Sequence, residues 1–192
     1  MTKSTAFQII LFCALPVAAQ DAAAHLDYRV LATTRTGTMS KEMNDAAQAG
    51  FVFGGVMGGQ TEFGGKEVVV VMKKNLTAPK PAKREYKLLA TTRTGTMQKE
   101  LRKAGDDGFV YCGMTVFDSG LAGREVSVIL ERDPDVSARR IEYRLLATSR
   151  TGTMQKELQQ AGDEGFVFRG MAVGKTALGG AEVVALVERP LK

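Results

Sequence analysis

Hydrophobic and polar positions follow the same succession in three segments of this chain, which we treat as repeats. They span residues 28–74, 86–132 and 143–189, and the second and third align without a gap. Each repeat opens with a strand-like alternating stretch, continues with apolar residues at helical spacing, and closes with two further strand-like stretches. Since strands alternate every second residue and helices every three or four, the pattern predicts three β-α-β-β units and an α+β fold.

The second repeat shows the predicted helix most clearly. An Arg-Thr-Gly-Thr turn follows the first strand, and the hydroxyl of Thr96 can cap the start of a helix. One apolar stripe over about three helical turns then contains Met97, Leu101 and Ala104. The helix is expected to stop at Gly108, because glycine readily adopts the left-handed conformation that ends helices. A helix this short is marginal alone, so we expect it to dock on a sheet.

Opposite charges predict how the strands pair. An antiparallel pairing of the first and third strands brings the end of one towards the start of the other, so that charged residues can form cross-strand pairs. The predicted pairs are Arg93–Glu125 and Lys87–Glu131, Arg150–Glu182 and Arg144–Glu188, and Arg35–Glu67. We therefore predict an antiparallel sheet in the order first, third, second strand, with the helix on one face.

The sheet face away from the helix is predicted to carry an apolar strip. Its residues are Leu31, Val69, Val71, Leu89 and Ile129. A sheet that is apolar on both faces needs two covering layers, of which the helix supplies one. Our hypothesis is that neighbouring repeats supply the other layer, with the three units packed around a pseudo-threefold axis.

The N-terminus has the features of a secretory signal peptide, which we predict to span residues 1–19. Lys3 precedes an apolar run over residues 6–15, which is too short to cross a bilayer. Small residues follow, so we expect a mature chain that begins at Gln20, or one that is cut after Ala24. The protein is therefore predicted to be periplasmic or secreted, with no transmembrane segment once the signal is removed.

Composition narrows the classes of partner. The 192 residues are 44% hydrophobic and 24% charged, with a formal net charge of +5, which is ordinary for a globular protein. Lysine and arginine alternate with acidic residues instead of clustering, which disfavours nucleic acid as a partner. Signal removal leaves only Cys112, so an intramolecular disulfide is excluded. Gly54 and Arg169 stand at the equivalent positions, which favours an unpaired strand cysteine over a redox or nucleophilic one.

The repeats share a short turn between the helix and the second strand. The turn reads Asp107-Gly108-Phe109, Glu164-Gly165-Phe166 and Ala49-Gly50-Phe51. Together with the Tyr-Lys-Leu-Leu opening and the Glu-Arg end, it resembles the small bacterial β-α-β-β domains of unknown function that carry a Glu-Gly-Trp turn, with phenylalanine in place of tryptophan. The resemblance implies the fold of each repeat and brings no activity or catalytic residues.

The Arg-Thr-Gly-Thr turns are candidate binding sites for an anion. A helix N-terminus offers unpaired N–H groups, glycine lets the backbone approach a ligand, and arginine can hold a carboxylate, phosphate or sulfate through two hydrogen bonds. The candidate ligand-binding residues are Arg35, Thr36, Gly37, Thr38, Arg93, Thr94, Gly95, Thr96, Arg150, Thr151, Gly152 and Thr153. In the alternative interpretation these residues are structural: the arginine pairs with a glutamate, the glycine forms the turn and the second threonine caps the helix.

The sequence offers no constellation for catalysis. The single histidine, His25, lies outside the repeats, and no cysteine–histidine cluster has the spacing of a metal site. We predict a non-enzymatic exported protein without a cofactor, which binds an anionic ligand, an envelope polymer or a protein partner at the turns. The alternatives are a structural or assembly protein of the cell envelope with no small-molecule ligand, and a hydrolase that uses acidic residues. An exposed apolar patch would favour assembly, whereas a polar concavity lined by all three arginines would favour ligand binding.

Overall fold

A computed structural model describes residues 25–61, 65–78, 83–118, 124–137, 139–175 and 180–191. The predicted signal peptide, residues 1–19, lies outside the described residues. Each repeat forms a three-stranded antiparallel sheet with one helix, so the predicted α+β fold of three β-α-β-β units is confirmed. In the part of the chain that the structure describes, no helix is long and apolar enough to cross a membrane.

The elements follow one another in the same order in every repeat. The first repeat contains β1 (Leu26–Thr33), α1 (Thr36–Gln48), β2 (Val52–Thr61) and β3 (Gly65–Asn75). The second contains β4 (Glu85–Thr91), α2 (Thr94–Asp106), β5 (Val110–Asp118) and β6 (Arg124–Arg132). The third contains β7 (Ile141–Thr148), α3 (Thr151–Asp163), β8 (Val167–Lys175) and β9 (Ala181–Pro190). The three sheets have the orders β1-β3-β2, β4-β6-β5 and β7-β9-β8, which confirms the predicted strand order.

The register of the first and third strands differs by one residue from the prediction. Lys87 lies opposite Leu130 instead of Glu131, and the same one-residue shift occurs in the other two sheets. The predicted pairs Arg93–Glu125, Lys87–Glu131, Arg150–Glu182 and Arg144–Glu188 do not form. Surface ion pairs contribute about 0–1 kcal/mol, less than the roughly 1.5–3 kcal/mol from burying one aliphatic side chain, so apolar burial decides the register.

This shift also moves strand residues to the opposite face of the sheet, because side chains alternate along a strand. Leu89 packs on the helix side with Met97 and Val128, whereas the prediction placed it on the other face. Leu31 likewise lies on the helix side of the first repeat. Ile129 does lie on the face away from the helix, where it packs with residues of the first repeat.

Each helix ends in the same backbone motif. In α2 the N–H of Phe109 donates to the carbonyl of Ala104 at 2.9 Å, and that of Gly108 donates to Gly105 at 3.1 Å. Gly108 has a φ of +79°, as the left-handed end of a helix requires. Equivalent bonds close the other two helices at Gly50 and Gly165. The predicted stop at Gly108 is confirmed.

Cations flank the phenylalanine that follows each of these glycines. Lys87 Nζ lies 4.2 Å from the centroid of the Phe109 ring, and the Arg132 guanidinium lies 4.6 Å from it. Lys87 also pairs with Asp107 at 3.3 Å, which is its partner in place of the predicted glutamate. The equivalent groups are Arg29 and Lys74 at Phe51, and Arg144 and Arg189 at Phe166. Ring and cations together hold the helix end onto its sheet.

The repeats pack head to tail. The face of the first repeat that carries α1 and β2 packs against β4 and β5 of the second, and α2 and β5 pack against β7 and β8 of the third. Among the described elements, extensive contacts join only consecutive repeats. A closed arrangement around a pseudo-threefold axis would need the third repeat to pack against the first in the same way. The described residues form an open row instead.

Candidate functional site

The Arg-Thr-Gly-Thr turns lie at the starts of the three helices. The N-cap residues are Arg35, Arg93 and Arg150, with extended backbone, and no side chain caps any of the three helices. Thr38, Thr96 and Thr153 lie within the first helical turn, so the predicted cap at the second threonine is wrong. The helices begin earlier because a threonine two residues before each arginine accepts a hydrogen bond from the arginine N–H at 3.1–3.2 Å, which fixes the turn.

The side chains of these arginines are exposed. Within the described residues, the guanidinium groups of Arg35, Arg93 and Arg150 form no ion pair. The N–H groups of Thr94 and Gly95 belong to the first turn of α2, where no intrahelical acceptor exists. The structural role predicted for the arginine, a pair with a glutamate, is therefore not observed, and each turn keeps several donors available.

Only small or open depressions adjoin the turns in the described residues. Arg93 lines a pocket of about 10 Å³, room for roughly one water molecule, together with Thr94, Met97, Gly174 and Val184. A wider and more open depression beside α2 is lined by Thr94, Gly95, Gln98, Leu145, Leu146, Ala147 and Glu157. None of the described pockets contains two of the three arginines. Among these depressions, only the two beside α2 include residues of an Arg-Thr-Gly-Thr turn, Arg93, Thr94 and Gly95.

A second candidate site is the junction between consecutive repeats, which a buried tyrosine anchors. Tyr86 of β4 is 4% exposed, and its phenol oxygen accepts a hydrogen bond from the N–H of Phe53 in β2 at 2.7 Å. Tyr143 of β7 is 3% exposed and donates to the carbonyl of Phe109 at 2.9 Å. Burial raises the pKa of both phenols, and the nearby carboxylates of Glu131 and Glu188 add to the effect. Each junction therefore holds a neutral tyrosine against the preceding repeat.

Amide side chains from the helices add backbone hydrogen bonds across both junctions. Asn44 of α1 donates to the carbonyl of Tyr86 and accepts from its N–H, both at 2.9 Å. Gln98 of α2 donates to the carbonyl of Tyr143 at 2.8 Å and accepts from the N–H of Leu145 at 2.7 Å. The preceding helix thus satisfies backbone groups of Tyr86, Tyr143 and Leu145 on the outer edges of the following sheets.

Glycines let the sheets approach closely at the same junctions. A Cβ atom added to Gly113 of β5 would lie 2.7 Å from the Phe53 ring and 3.0 Å from Val56. One added to Gly170 of β8 would overlap the hydroxyl of Tyr111. Side chains from the preceding repeat thus occupy the space that a larger residue would need, as a glycine inside a strand often indicates.

Large apolar side chains are exposed at the two ends of the row. We define the N-terminal end face by Tyr28, Val30 and Gly55. The side chain of Tyr28 is 60% exposed and that of Val30 is 65% exposed. The C-terminal end face, defined by Phe168, Met171 and Val173, has these side chains 47%, 56% and 45% exposed. Exposed apolar faces of this kind favour an assembly role.

Reactive and metal-binding groups are sparse in the described ranges. Cys112 is half-buried, and its thiol donates to the carbonyl of Ile129 at 3.4 Å. Burial raises the pKa of this thiol, so it stays protonated at neutral pH and is a weak nucleophile. Within the described residues, no group of histidine, cysteine and acidic side chains is placed to hold a metal ion.

The tyrosine and glycine positions were missed in the sequence, although both are present three times. Tyr28, Tyr86 and Tyr143 open the repeats, and Gly55, Gly113 and Gly170 recur within the second strands. Their recurrence was a signal for a shared contact, but the pattern does not reveal that the contact joins one repeat to the next.

The chain matches no family model, no curated protein and no solved structure. Its relation to the bacterial β-α-β-β domains with a Glu-Gly-Trp turn therefore stays a prediction that rests on the short turn motif.

Proposed function

We propose that this chain is an exported, non-catalytic assembly protein that binds protein partners through the two apolar end faces of its row of repeats. The observation that carries this proposal is the exposure of Val30 and Met171, which are 65% and 56% accessible at opposite ends. Repeat arrays usually finish in capping units with polar outer faces, and an exposed apolar patch marks an interaction site. The signal-like residues 1–19 support export, and the position of the single histidine, His25, outside the repeats supports a non-catalytic role.

The test compares an end-face variant with a matched surface variant in extracts of the producing cell's envelope. The intact protein should elute in a complex larger than the monomer. Met171→Asp should shift it to a smaller size, because a buried unpaired charge disrupts an apolar interface. Val136→Asp is the control, since Val136 is 63% exposed and lies outside both end faces. Elution that is the same for all three proteins would contradict an assembly role.

A second candidate function is anion binding at the Arg-Thr-Gly-Thr turns. It is supported by exposed arginines without ion pairs at uncapped helix starts, where backbone N–H groups and positive charge favour an anion. The donors of one turn, with Arg93 beside Thr94 and Gly95, suit a phosphate, a sulfate or a carboxylate. An anionic polymer that reaches two or three turns would bind with a higher avidity than a single anion.

Isothermal titration tests this candidate with phosphate, sulfated sugars and acidic peptides. The intact protein should release or absorb heat with at least one of them, and the signal should fall when Arg35, Arg93 and Arg150 are all changed to alanine. Arg102→Ala is the matched control, since Arg102 is an exposed arginine of α2 outside the turn. Anion binding at the turns would be contradicted if no anion gave a heat signal, or if Arg102→Ala lowered the signal as much as the triple variant does.

A further inference from the structure

The N-terminal end face is one half of a junction that the protein forms twice within itself. Tyr28 stands where Tyr86 and Tyr143 anchor the inner junctions, yet it is 60% exposed. Gly55 is the equivalent of Gly113 and Gly170, and a Cβ atom added to it would meet nothing within 4 Å. The space that a preceding repeat fills at both inner junctions is open here among the described residues.

The C-terminal end face is the other half of the same junction. Phe168 and Met171 of β8 are the equivalents of Tyr111 and Met114 of β5, which pack against Gly170 at the inner junction. Both side chains are about half exposed at the end of the row. Phe168 and Met171 are therefore exposed apolar side chains, whereas the equivalent Tyr111 and Met114 pack against Gly170 of the next repeat.

The helix of the third repeat, α3, also lacks contacts that the equivalent helix α2 makes with the next repeat. Gly105 of α2 lies against the backbone of Ile141 in the next repeat, whereas a Cβ atom added to its equivalent in α3, Gly162, would meet nothing within 4 Å. Gln155 of α3 stands where Gln98 pairs with the backbone of the following strand, and it is exposed. The outer surface of α3 therefore presents the donor, the acceptor and the close-approach site of an inner junction.

We propose that a second copy of this chain completes the junction, so that the C-terminal end face of one copy binds the N-terminal end face of the next. In this arrangement Phe168 and Met171 pack over Gly55 of the next copy, as Tyr111 and Met114 pack over Gly170. The hydroxyl of Tyr28 reaches the backbone around β8, and the Gln155 amide pairs with the backbone of the first strand. This inference rests on the proposed assembly function and names its partner.

A second copy is favoured over an unrelated partner because the inner junctions already demonstrate the complementarity of the two faces. Every copy carries one face of each kind, and the faces differ from one another. Such a heterologous contact adds copies in one direction, and it gives a ring if the rotation closes or an open fibre if it does not. Because the two end faces differ, a substitution in one face should prevent binding there and leave the other face able to bind.

Sedimentation velocity of the purified full chain tests the proposal over a range of concentrations. The average mass of the intact protein should rise above the monomer mass with concentration. Gly55→Leu fills the N-terminal end face and should stay monomeric, and it is expected to fold because its Cβ is in open space and its φ is not left-handed. Met171→Asp blocks the other end face and should also stay monomeric.

An equimolar mixture of these two variants gives the sharpest result. Each retains the face that the other lacks, so together they should form a one-to-one dimer and nothing larger. Val136→Asp should associate like the intact protein. The proposal is overturned if the intact chain stays monomeric, if either variant alone associates normally, if the mixture stays monomeric, or if Val136→Asp also prevents association.

The failure of this proposal can be told apart from failure of the assembly function. If the purified chain never self-associates, but Met171→Asp still removes the large complex from envelope extracts, the partner is another protein and the assembly function stands. If the purified chain stays monomeric and the extract complex is unaffected by Met171→Asp, both proposals fall.

Discussion

Tyr143 and Tyr28 occupy the same position in their repeats, but their surroundings are opposite. Tyr143 is 3% exposed and donates a hydrogen bond to the preceding repeat, whereas Tyr28 is 60% exposed at the end of the row. Local sequence is nearly the same around both, with Tyr-Arg followed by an apolar pair. The difference teaches that burial in this protein is set by the presence of a preceding repeat.

The largest expected effect on stability is a difference between alanine substitutions at two equivalent glycines, one in α2 and one in α3. Gly105→Ala should lower the free energy of unfolding by about 1–3 kcal/mol, because its Cβ would overlap the carbonyl of Ile141 and force the two repeats apart. Gly162→Ala should raise it by up to about 1 kcal/mol, because alanine favours a helix and the space is open. Differential scanning calorimetry measures both.

If both alanine variants changed stability in the same direction, the proposed difference between a packed junction at Gly105 and an open end at Gly162 would be wrong. Ala47 stands at the equivalent position in α1 and is buried. The first junction therefore tolerates a methyl group there, and the close approach at Gly105 is specific to the second junction.

A smaller effect is expected at the tyrosines themselves. Tyr143→Phe should cost about 1 kcal/mol, because it removes a buried hydrogen bond and leaves the Phe109 carbonyl without that donor. Tyr28→Phe should change stability by less than about 0.5 kcal/mol, as surface substitutions usually do. Urea unfolding at a low protein concentration measures the two variants side by side, and equal losses would show that the exposed tyrosine is also held by the fold.

Alkaline pH should weaken the junctions between the repeats. Burial raises the pKa of Tyr86 and Tyr143, so the folded protein keeps protons that the unfolded chain releases above about pH 10. Stability from these groups is fully present below that pH and falls as pH rises above it. Melting temperatures at neutral pH and above pH 10 should therefore differ less in Tyr143→Phe than in the intact protein. A decrease that Tyr143→Phe leaves unchanged would assign alkaline unfolding to other groups.

Element order and strand order could be predicted because they depend on periodicity within one repeat. The stop at Gly108 followed from the conformational freedom of glycine, which is also a local property. The register of the first and third strands could not be predicted. Charges such as those of Lys87 and Glu131 suggested one pairing, whereas burial of Leu89 against the helix produces another. Burial is a property of the packed unit and is not visible in the charge pattern.

The candidate turns were located correctly at the helix starts, but their hydrogen bonds were not foreseen. Thr91 accepts the bond that fixes the turn, which lets the helix begin at Thr94 and leaves Thr96 in its first turn. Packing of neighbouring repeats on the second face of a sheet was predicted, but the contacts that form the junctions were not, since Tyr86 and Gly113 contact residues of the preceding repeat. Contacts of that range depend on how whole units are placed.

The open row has a consequence for how this protein can change its length. A row built by the same step between units has no fixed number of members, unlike a closed ring, in which the rotation per unit sets the count. Duplication of a segment such as residues 86–142 would insert one more unit and one more junction and would leave both end faces unchanged. The chain is therefore extensible by tandem duplication, and its reach can evolve independently of what it binds at its ends.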